Sequence, residues 1–280
     1  MIDLHTHSTA SDGTFSPEEL VYLAKKEKLQ ALALTDHDTI DGLKPAYKTA
    51  KEVDLSFLCG VEISIKFEGP GHFHLLGYFL EPEIPKINET LLKLKKAREE
   101  RNKKMIEKLN NLGIKITLEE LKEIAQGEIG RPHMANLLVK KGVVKSFEEA
   151  FQKYLKKDAP AYVPKALLSP EEAIKLILEA KGIPVLAHPV TLKLNLLDLK
   201  NYLKKLRDFG LIGVEVFYPE HTIDFTKFLI ECAKELGLLL TGGSDFHGEN
   251  KPDIKLGKGL NNLNVPFECY KNLEKVLKSL

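Results

Sequence analysis

Tryptophan is absent from this chain, and cysteine is scarce: Cys59, Cys232 and Cys269 are the only three. Their odd number and wide spacing exclude a disulfide framework and a zinc knuckle. No apolar run approaches the roughly 18 residues that a membrane span needs. The opening MIDLHTHS has no basic region followed by an apolar stretch, so no secretory signal is expected. A reducing cytoplasm is therefore the expected location, with no membrane association and no obligate protein partner. There is no GxSxG elbow, no Gly-rich P-loop and no Cys–His pair, which leaves serine-hydrolase, P-loop and thiol chemistry without a motif. Abundant lysine and glutamate without tryptophan lean toward a thermophilic source.

A strong charge of one sign is also missing overall, since the formal net charge is +1. That balance hides an asymmetry. Residues 86–165 carry 19 Lys and Arg against 11 Asp and Glu, a net of +8, whereas the rest carries 22 against 29, a net of −7. A basic segment attached to an acidic core suits a polyanionic ligand held between cations and metal-binding carboxylates. A lysine-rich, solvated helical surface would give the same numbers.

What is present is a core-forming chain, 43% apolar, with strong local patterning. MIDLH, ALALTDH, FLCGVEISIKF and HFHLLGYFL read as strands, and PEELVYLAKKEK and DGLKPAYKTAKEV as helices. Ser16 is a plausible N-cap with Pro17 at the first helical position. From residue 170 the alternation returns: PEEAIKLILEAK (helix), GIPVLAH (strand), LLDLKNYLKKLRDFG (helix), LIGVEVFY (strand), TIDFTKFLIECAKELG (helix) and LLLTGGSDFHG (strand end). Such alternation predicts parallel strands covered by helices, an α/β architecture. Between the halves it stops. Residues 86–165 read as an inserted helical subdomain, with a long helix from Lys86 to Leu112 and shorter ones near Leu118–Gln126, Arg131–Lys141 and Phe147–Lys157. The barrel is then expected over 1–85 and 166–280.

Six of the nine histidines fall at or beside strand ends, each with a carboxylate or another histidine nearby. His5 and His7 are two apart, so on a strand both face the same way. Asp12 follows in SDG, His37 lies in TDHD, Glu62 in GVEIS and His74 in HFHLLGY. His188 ends GIPVLAH, and Asp245 and His247 lie in SDFHG. Strand C-termini of a parallel barrel meet on one face, so these positions are expected to converge. Nine nitrogen and oxygen donors exceed what one tetrahedral ion needs, and two or three ions use them better. Imidazole with carboxylate and no thiolate favours manganese, zinc or iron over calcium. One carboxylate, Glu62, is placed to bridge two ions. Lone histidines are more often core or surface residues, so His72, His133 and His221 are left out of the ligand set. Asp36 and Asp38 read as orienting residues or loop caps.

HTHS…SDG, TDHD, GVEIS, AHP and SDFHG, in this order and strand context, resemble the PHP (polymerase and histidinol phosphatase) family. The resemblance covers the whole core. It implies a distorted seven-stranded β/α barrel with a trinuclear metal site. By motif, His5, His7, Glu62 and Asp245 would hold one ion, Glu62, His74 and His188 a second, and Asp12, His37 and His247 a third. His74 is preferred to His72 because it directly precedes LLGY. His5, His7, Glu62 and Asp245 would form the catalytic set. The implied chemistry is metal-assisted hydrolysis of a phosphate ester.

ERN near residue 100, GRPHMANLLV, FQKYL and YVP resemble a bacterial PHP subgroup of nucleoside 3′,5′-bisphosphate phosphatases and 5′→3′ exoribonucleases. Histidinol phosphatases of the family generally lack such an insertion. The residues agree. An apolar stripe of Ile87, Leu91, Leu94, Met105, Leu109 and Leu112 is interrupted by Arg98 and Arg101 where it should face something buried. Arg131 opens a helix after Gly130, which makes a ready anion site. Arg101, Arg131 and His133 are thus the candidate substrate-binding residues, with a nucleotide or short RNA as partner. Snorkelling arginines and an exposed first-turn histidine are the alternatives. Two other functions compete: a small-metabolite phosphatase such as histidinol-phosphate hydrolase, and a non-catalytic, metal-dependent nucleic-acid-binding module.

Overall fold

A computed structural model describes residues 1–124 and 129–280. Seven strands form one sheet in chain order: β1 (Ile2–Asp3), β2 (Ala31–Leu34), β3 (Ser56–Ile65), β4 (Phe73–Phe79), β5 (Ile183–Leu186), β6 (Gly213–Phe217) and β7 (Leu239–Gly242). The described helices are α1 (Pro17–Lys26), α2 (Leu43–Glu52), α3 (Pro85–Asn111), α4 (Leu118–Ile124), α5 (Arg131–Lys140), α6 (Phe147–Ala150), α7 (Pro170–Glu179), α8 (Leu196–Asp208), α9 (Ile223–Leu236) and α10 (Phe267–Leu277). Two compact units divide the chain: Met1–Glu89 with Leu167–Leu280, and Thr90–Ala166.

The first unit is a nearly closed seven-stranded barrel with surrounding helices. Chain just past β1 pairs with chain just past β7. His7 N donates to Phe246 O at 2.9 Å and Asp245 N to His5 O at 2.9 Å. Thr6 bridges Phe246 in parallel. Ile2, Leu4, Ala33, Leu58, Leu76 and Val185 form one buried cluster together with Leu273 and Leu277 of α10.

Local chemistry explains where the helices start. Ser16 caps α1 through a reciprocal box: Glu19 N donates to Ser16 Oγ at 3.2 Å and Ser16 N donates to Glu19 Oε2 at 2.8 Å. Pro17 occupies the first turn, and Leu20, Val21 and Ala24 are buried. Ser169, Pro170 and Glu172 repeat the device at α7. Each such cap contributes about 1 kcal/mol.

Four expectations need correction. Alternation predicts parallel strands throughout, yet β4 runs antiparallel to both β3 and β5. The link between β3 and β4, residues 66–72, is too short for a crossover, so the strands return on each other. β1 ends at Asp3, so His5 and His7 lie just beyond it, where the Thr6 bridge preserves the extended alternation. The sequence reading has no counterpart for α10. Leu112 lies outside α3 and is 47% exposed, so the apolar stripe ends at Leu109.

The second unit is helical. Met105, Leu109, Leu121, Met134, Leu138 and Leu155 make its core. The segment expected to be one helix from Phe147 splits into α6 and a π-helical turn, Phe151–Leu155. Gln126, expected at the end of the preceding helix, lies outside the described residues. Among the described residues, no helix is long and apolar enough to cross a membrane.

Candidate metal centre

Strand ends bring the nine candidate ligands together. His5 and His7 follow β1, Asp12 lies in the turn beyond, His37 follows β2, His188 follows β5, and Asp245 and His247 follow β7. Glu62 sits within β3, where His37 bridges it in parallel. The reversed direction of β4 matters here. His74 is near its beginning and pairs with Ser64, so it reaches the end of the barrel where its neighbours finish.

Three groups of donors each converge within 4.8 Å: His5, His7, Glu62 and Asp245; His37, Glu62 and His74; and His7, Asp12, His37 and His247. Glu62 stands at the centre. Its Oε2 lies 3.1 Å from His5 Nε2, 3.2 Å from His7 Nε2 and 3.1 Å from His37 Nδ1. Its Oε1 lies 2.9 Å from His74 Nδ1 and 2.8 Å from His188 Nε2. Asp12 Oδ1 is 3.2 Å from His247 Nε2. Compared with the grouping that the motifs imply, His7 also joins Asp12, His37 and His247. His188 reaches the centre through Glu62.

His5, His7 and Glu62 are fully buried. The side chains of His37, His74 and Asp12 are 27%, 26% and 56% exposed, which makes theirs the open side of the centre. Burial alone would lower the pKa of His7, but Asp245 and Glu62 outweigh it and raise it to about 9. Burial opposes the charged form of Glu62 as well, yet the surrounding histidines hold it well below its ordinary value. The centre therefore pairs ionised carboxylates with imidazoles. Both ring nitrogens of His7 lack a hydrogen-bond partner, although Glu62 and Asp245 oxygens lie 3.2 Å from Nε2. Buried nitrogen and oxygen atoms that converge without hydrogen-bond alignment suit a cation at their focus once the imidazoles lose their extra protons, so the residues present fit divalent ions.

The pattern that defines the PHP domain matches residues 3–159. The chain belongs to the PHP family. It is 38% identical to a 5′–3′ exoribonuclease of Haemophilus influenzae, over 88% of this chain and 89% of that one. It is 33% identical to a 3′,5′-nucleoside bisphosphate phosphatase of Chromobacterium violaceum, over 90% of each. A solved structure from Bifidobacterium adolescentis, described as a metal-dependent phosphoesterase, superposes with a TM-score of 0.75 at 30% identity, covering 98% of this chain and 96% of that one. As a PHP protein the chain is a phosphoesterase, and the family's chemistry implies divalent metal ions.

Around this PHP centre stand residues that hold the ligands. Asp36 accepts from Ser8 N and Ser8 Oγ, both at 2.7 Å, and from Ser11 Oγ at 2.7 Å, which fixes the turn carrying Asp12. Asp38, at φ 52°, accepts from Ser64 N at 2.9 Å. Sequence reasoning missed four others. Asp3 accepts from His5 N, Ser244 N and Gly257 N, tying the two ends of the barrel together. Tyr218 and Lys251 donate to Asp245 Oδ2 at 3.1 and 2.7 Å. Glu215 contacts His5. Its signal was visible, since it is the one charge in the otherwise apolar strand LIGVEVFY.

The helical unit holds the three substrate-binding candidates. Arg101 is buried, and its Nε donates to Val163 O at 2.8 Å. Burial, with Arg131 next, lowers its pKa. Arg131 lies 5.7 Å from the Phe151 ring and 5.6 Å from the Tyr162 ring, and donates to Leu155 O at 3.3 Å. His133 is half-buried rather than exposed, and its Nδ1 accepts from Gly130 N at 3.1 Å, so the ring caps α5. Of the histidines set aside, His72 is exposed, while His221 is buried with Nδ1 bonded to Val216 O at 2.9 Å.

Proposed function

We propose that this PHP protein hydrolyses phosphate esters of nucleotides, as a nucleoside 3′,5′-bisphosphate phosphatase, a 5′→3′ exoribonuclease on short RNA, or both. The observation that carries this reading is the convergence of nine imidazole and carboxylate side chains, with Glu62 at their centre, in a chain whose relatives bear those two names. The proposed ligands are His5, His7, Asp12, His37, Glu62, His74, His188, Asp245 and His247, for two or three ions of manganese, zinc or iron. When bound, such ions supply an activated water near neutral pH and neutralise phosphoryl oxygens.

The chain's own residues do the rest. Glu62 presents one oxygen to each of two histidine sets, which holds the catalytic set of His5, His7, Glu62 and Asp245 at fixed spacing. Buried His5 and His7 exclude bulk water behind the centre, and the open side at Asp12, His37 and His74 admits the phosphate. Arg101, Arg131 and His133 are assigned to a second phosphate or an RNA strand, since guanidinium groups bind phosphate oxygens in a fixed fork. A cytoplasmic location belongs to the same proposal, supported by three buried, unpaired cysteines.

A phosphate-release screen with added Mn²⁺ tests the reading. Bisphosphates or 5′-phosphorylated oligoribonucleotides should give the highest kcat/KM. A higher kcat/KM for histidinol phosphate than for every nucleotide tested would overturn it, and metal binding without turnover on any ester would favour a non-catalytic module.

A further inference from the structure

Glu215 is fully buried in β6. Its Oε1 lies 3.0 Å from His5 Nδ1, and its Oε2 lies 3.3 Å from the same nitrogen. The same Oε2 accepts from the backbone N–H of His188 at 2.7 Å. No lysine or arginine pairs with it among the described residues. A carboxylate buried without a cation is costly, and a leucine of similar volume would serve packing better. What this side chain does touch is one histidine ring and one histidine backbone, both from the proposed ligand set.

We propose that Glu215 is a positioning residue that fixes His5 and His188 together, so that the ions these two histidines serve are bound as a pair. This inference rests on the metal reading above. The Glu215 oxygen 3.0 Å from His5 Nδ1 suits a ring that carries a proton on Nδ1. Nε2 is then the ring atom that would bind an ion, on the side where Glu62 and Asp245 oxygens lie 3.1 and 3.7 Å away. At His188 the device acts on the backbone. His188 has φ 23° and ψ 69°, a conformation rare for a residue with a side chain, and the bond to Glu215 holds it there. Its ring is then set by Thr191. The Thr191 hydroxyl donates to the carbonyls of His72 and His188, leaving its oxygen to accept from His188 Nδ1 at 2.9 Å. His188 Nε2, 2.8 Å from Glu62 Oε1, is then the ring atom that would bind an ion beside Glu62. One carboxylate thus sets the metal-facing atoms of ligands that come from β1 and β5.

Glu215→Gln is the test, because it keeps the shape and changes the donors. The amide can satisfy His188 N–H only with its oxygen, which turns its NH₂ toward His5 Nδ1. That donor favours the wrong tautomer, with the proton on Nε2. Mn²⁺ affinity, measured by calorimetry, should fall about 10–100-fold. In crystals soaked with limiting Mn²⁺, anomalous scattering should weaken at the ions beside both His5 and His188 and stay unchanged at the ion beside Asp12. Melting in EDTA reports whether the variant is folded. Wild-type affinity and occupancy in a folded variant would overturn the proposal. If the variant does not fold, zinc-loaded wild type decides: histidine-ring ¹⁵N spectroscopy should show His5 protonated at Nδ1, and a proton-free Nδ1 would overturn it. Wild-type protein that binds no Mn²⁺ would remove the metal reading itself, and this inference with it.

Discussion

His188 Nε2 lies 2.8 Å from Glu62 Oε1, while Glu62 Oε2 faces His5, His7 and His37 from the other side. A single carboxylate thereby partitions five imidazoles into two sets, which is the geometry a bridging ligand needs. Glu62→Gln should lower kcat by at least about 100-fold, the scale of removing one preorganised electrostatic contact from an active site. Metal content should fall in parallel. Wild-type-like turnover would exclude the bridge.

Protons compete with cations for this centre. In the metal-free protein His7 is raised to about 9, so a proton must leave it before an ion can bind. Apparent Mn²⁺ affinity should rise with pH through the neutral range and level off above about 9. Calorimetry in buffers of different ionisation enthalpy would count the protons released. The same shift governs stability without metal. A histidine whose folded pKa lies above its unfolded value of 6.5 stabilises fully below that value, and the contribution is lost as pH rises through about 9. Melting temperature in EDTA should therefore fall between those limits. A flat profile would contradict the assignment of His7 as a charged group in the empty centre.

Arg131→Ala should raise KM for a bisphosphate about tenfold, the value of one charge-assisted hydrogen bond, with metal content unchanged. If it anchors a phosphate remote from the reacting one, kcat should fall too. Arg101 is buried and Arg131 half-buried, so the preference for bisphosphates should persist at high salt, unlike one built on exposed lysines. Steady-state kinetics over a salt series would check both points. Unchanged kinetics on every nucleotide would place Arg131 in a purely structural role, stacked between Phe151 and Tyr162.

Gly243→Ala tests the closure of the barrel. A Cβ there would meet His5 Cβ and His5 N, both at 2.4 Å. Neither can move without shifting the ligand-bearing segment after β1, so the change should cost about 1–3 kcal/mol. It should also weaken metal binding, read by thermal melting with and without Mn²⁺. A fully stable variant with normal metal affinity would show that the seam is looser than its contacts imply.

Much of the centre was legible because its chemistry is local. HTHS, TDHD, GVEIS and SDFHG each carry ligands beside a strand that hydrophobic runs reveal. The reversal of β4 was harder to see, since periodicity gives no strand direction and only the short link after Ile65 hints at a return. Glu215 stood out as the one charge in an apolar strand but was not followed, whereas Asp3 escaped because an acidic residue in a short strand looks the same whether it orients a ligand or faces solvent. Tyr218 and Lys251 reach Asp245 through loops, whose path no pattern encodes. The C-terminal helix was overlooked for another reason. Its apolar residues, Leu273 and Leu277 among them, are one face of a short segment that follows a long irregular stretch.

Asp3 and Ser244, joined by a hydrogen bond, are 241 residues apart in sequence. The first imidazoles of the centre, His5 and His7, are therefore separated by most of the chain from their partners Asp245 and His247. Contacts of such sequence separation are the kind that slow folding, and the centre is complete only when they are made. The seam that closes the barrel is thus also the one that joins the two ends of the ligand set, so barrel closure and completion of the centre are a single event in space.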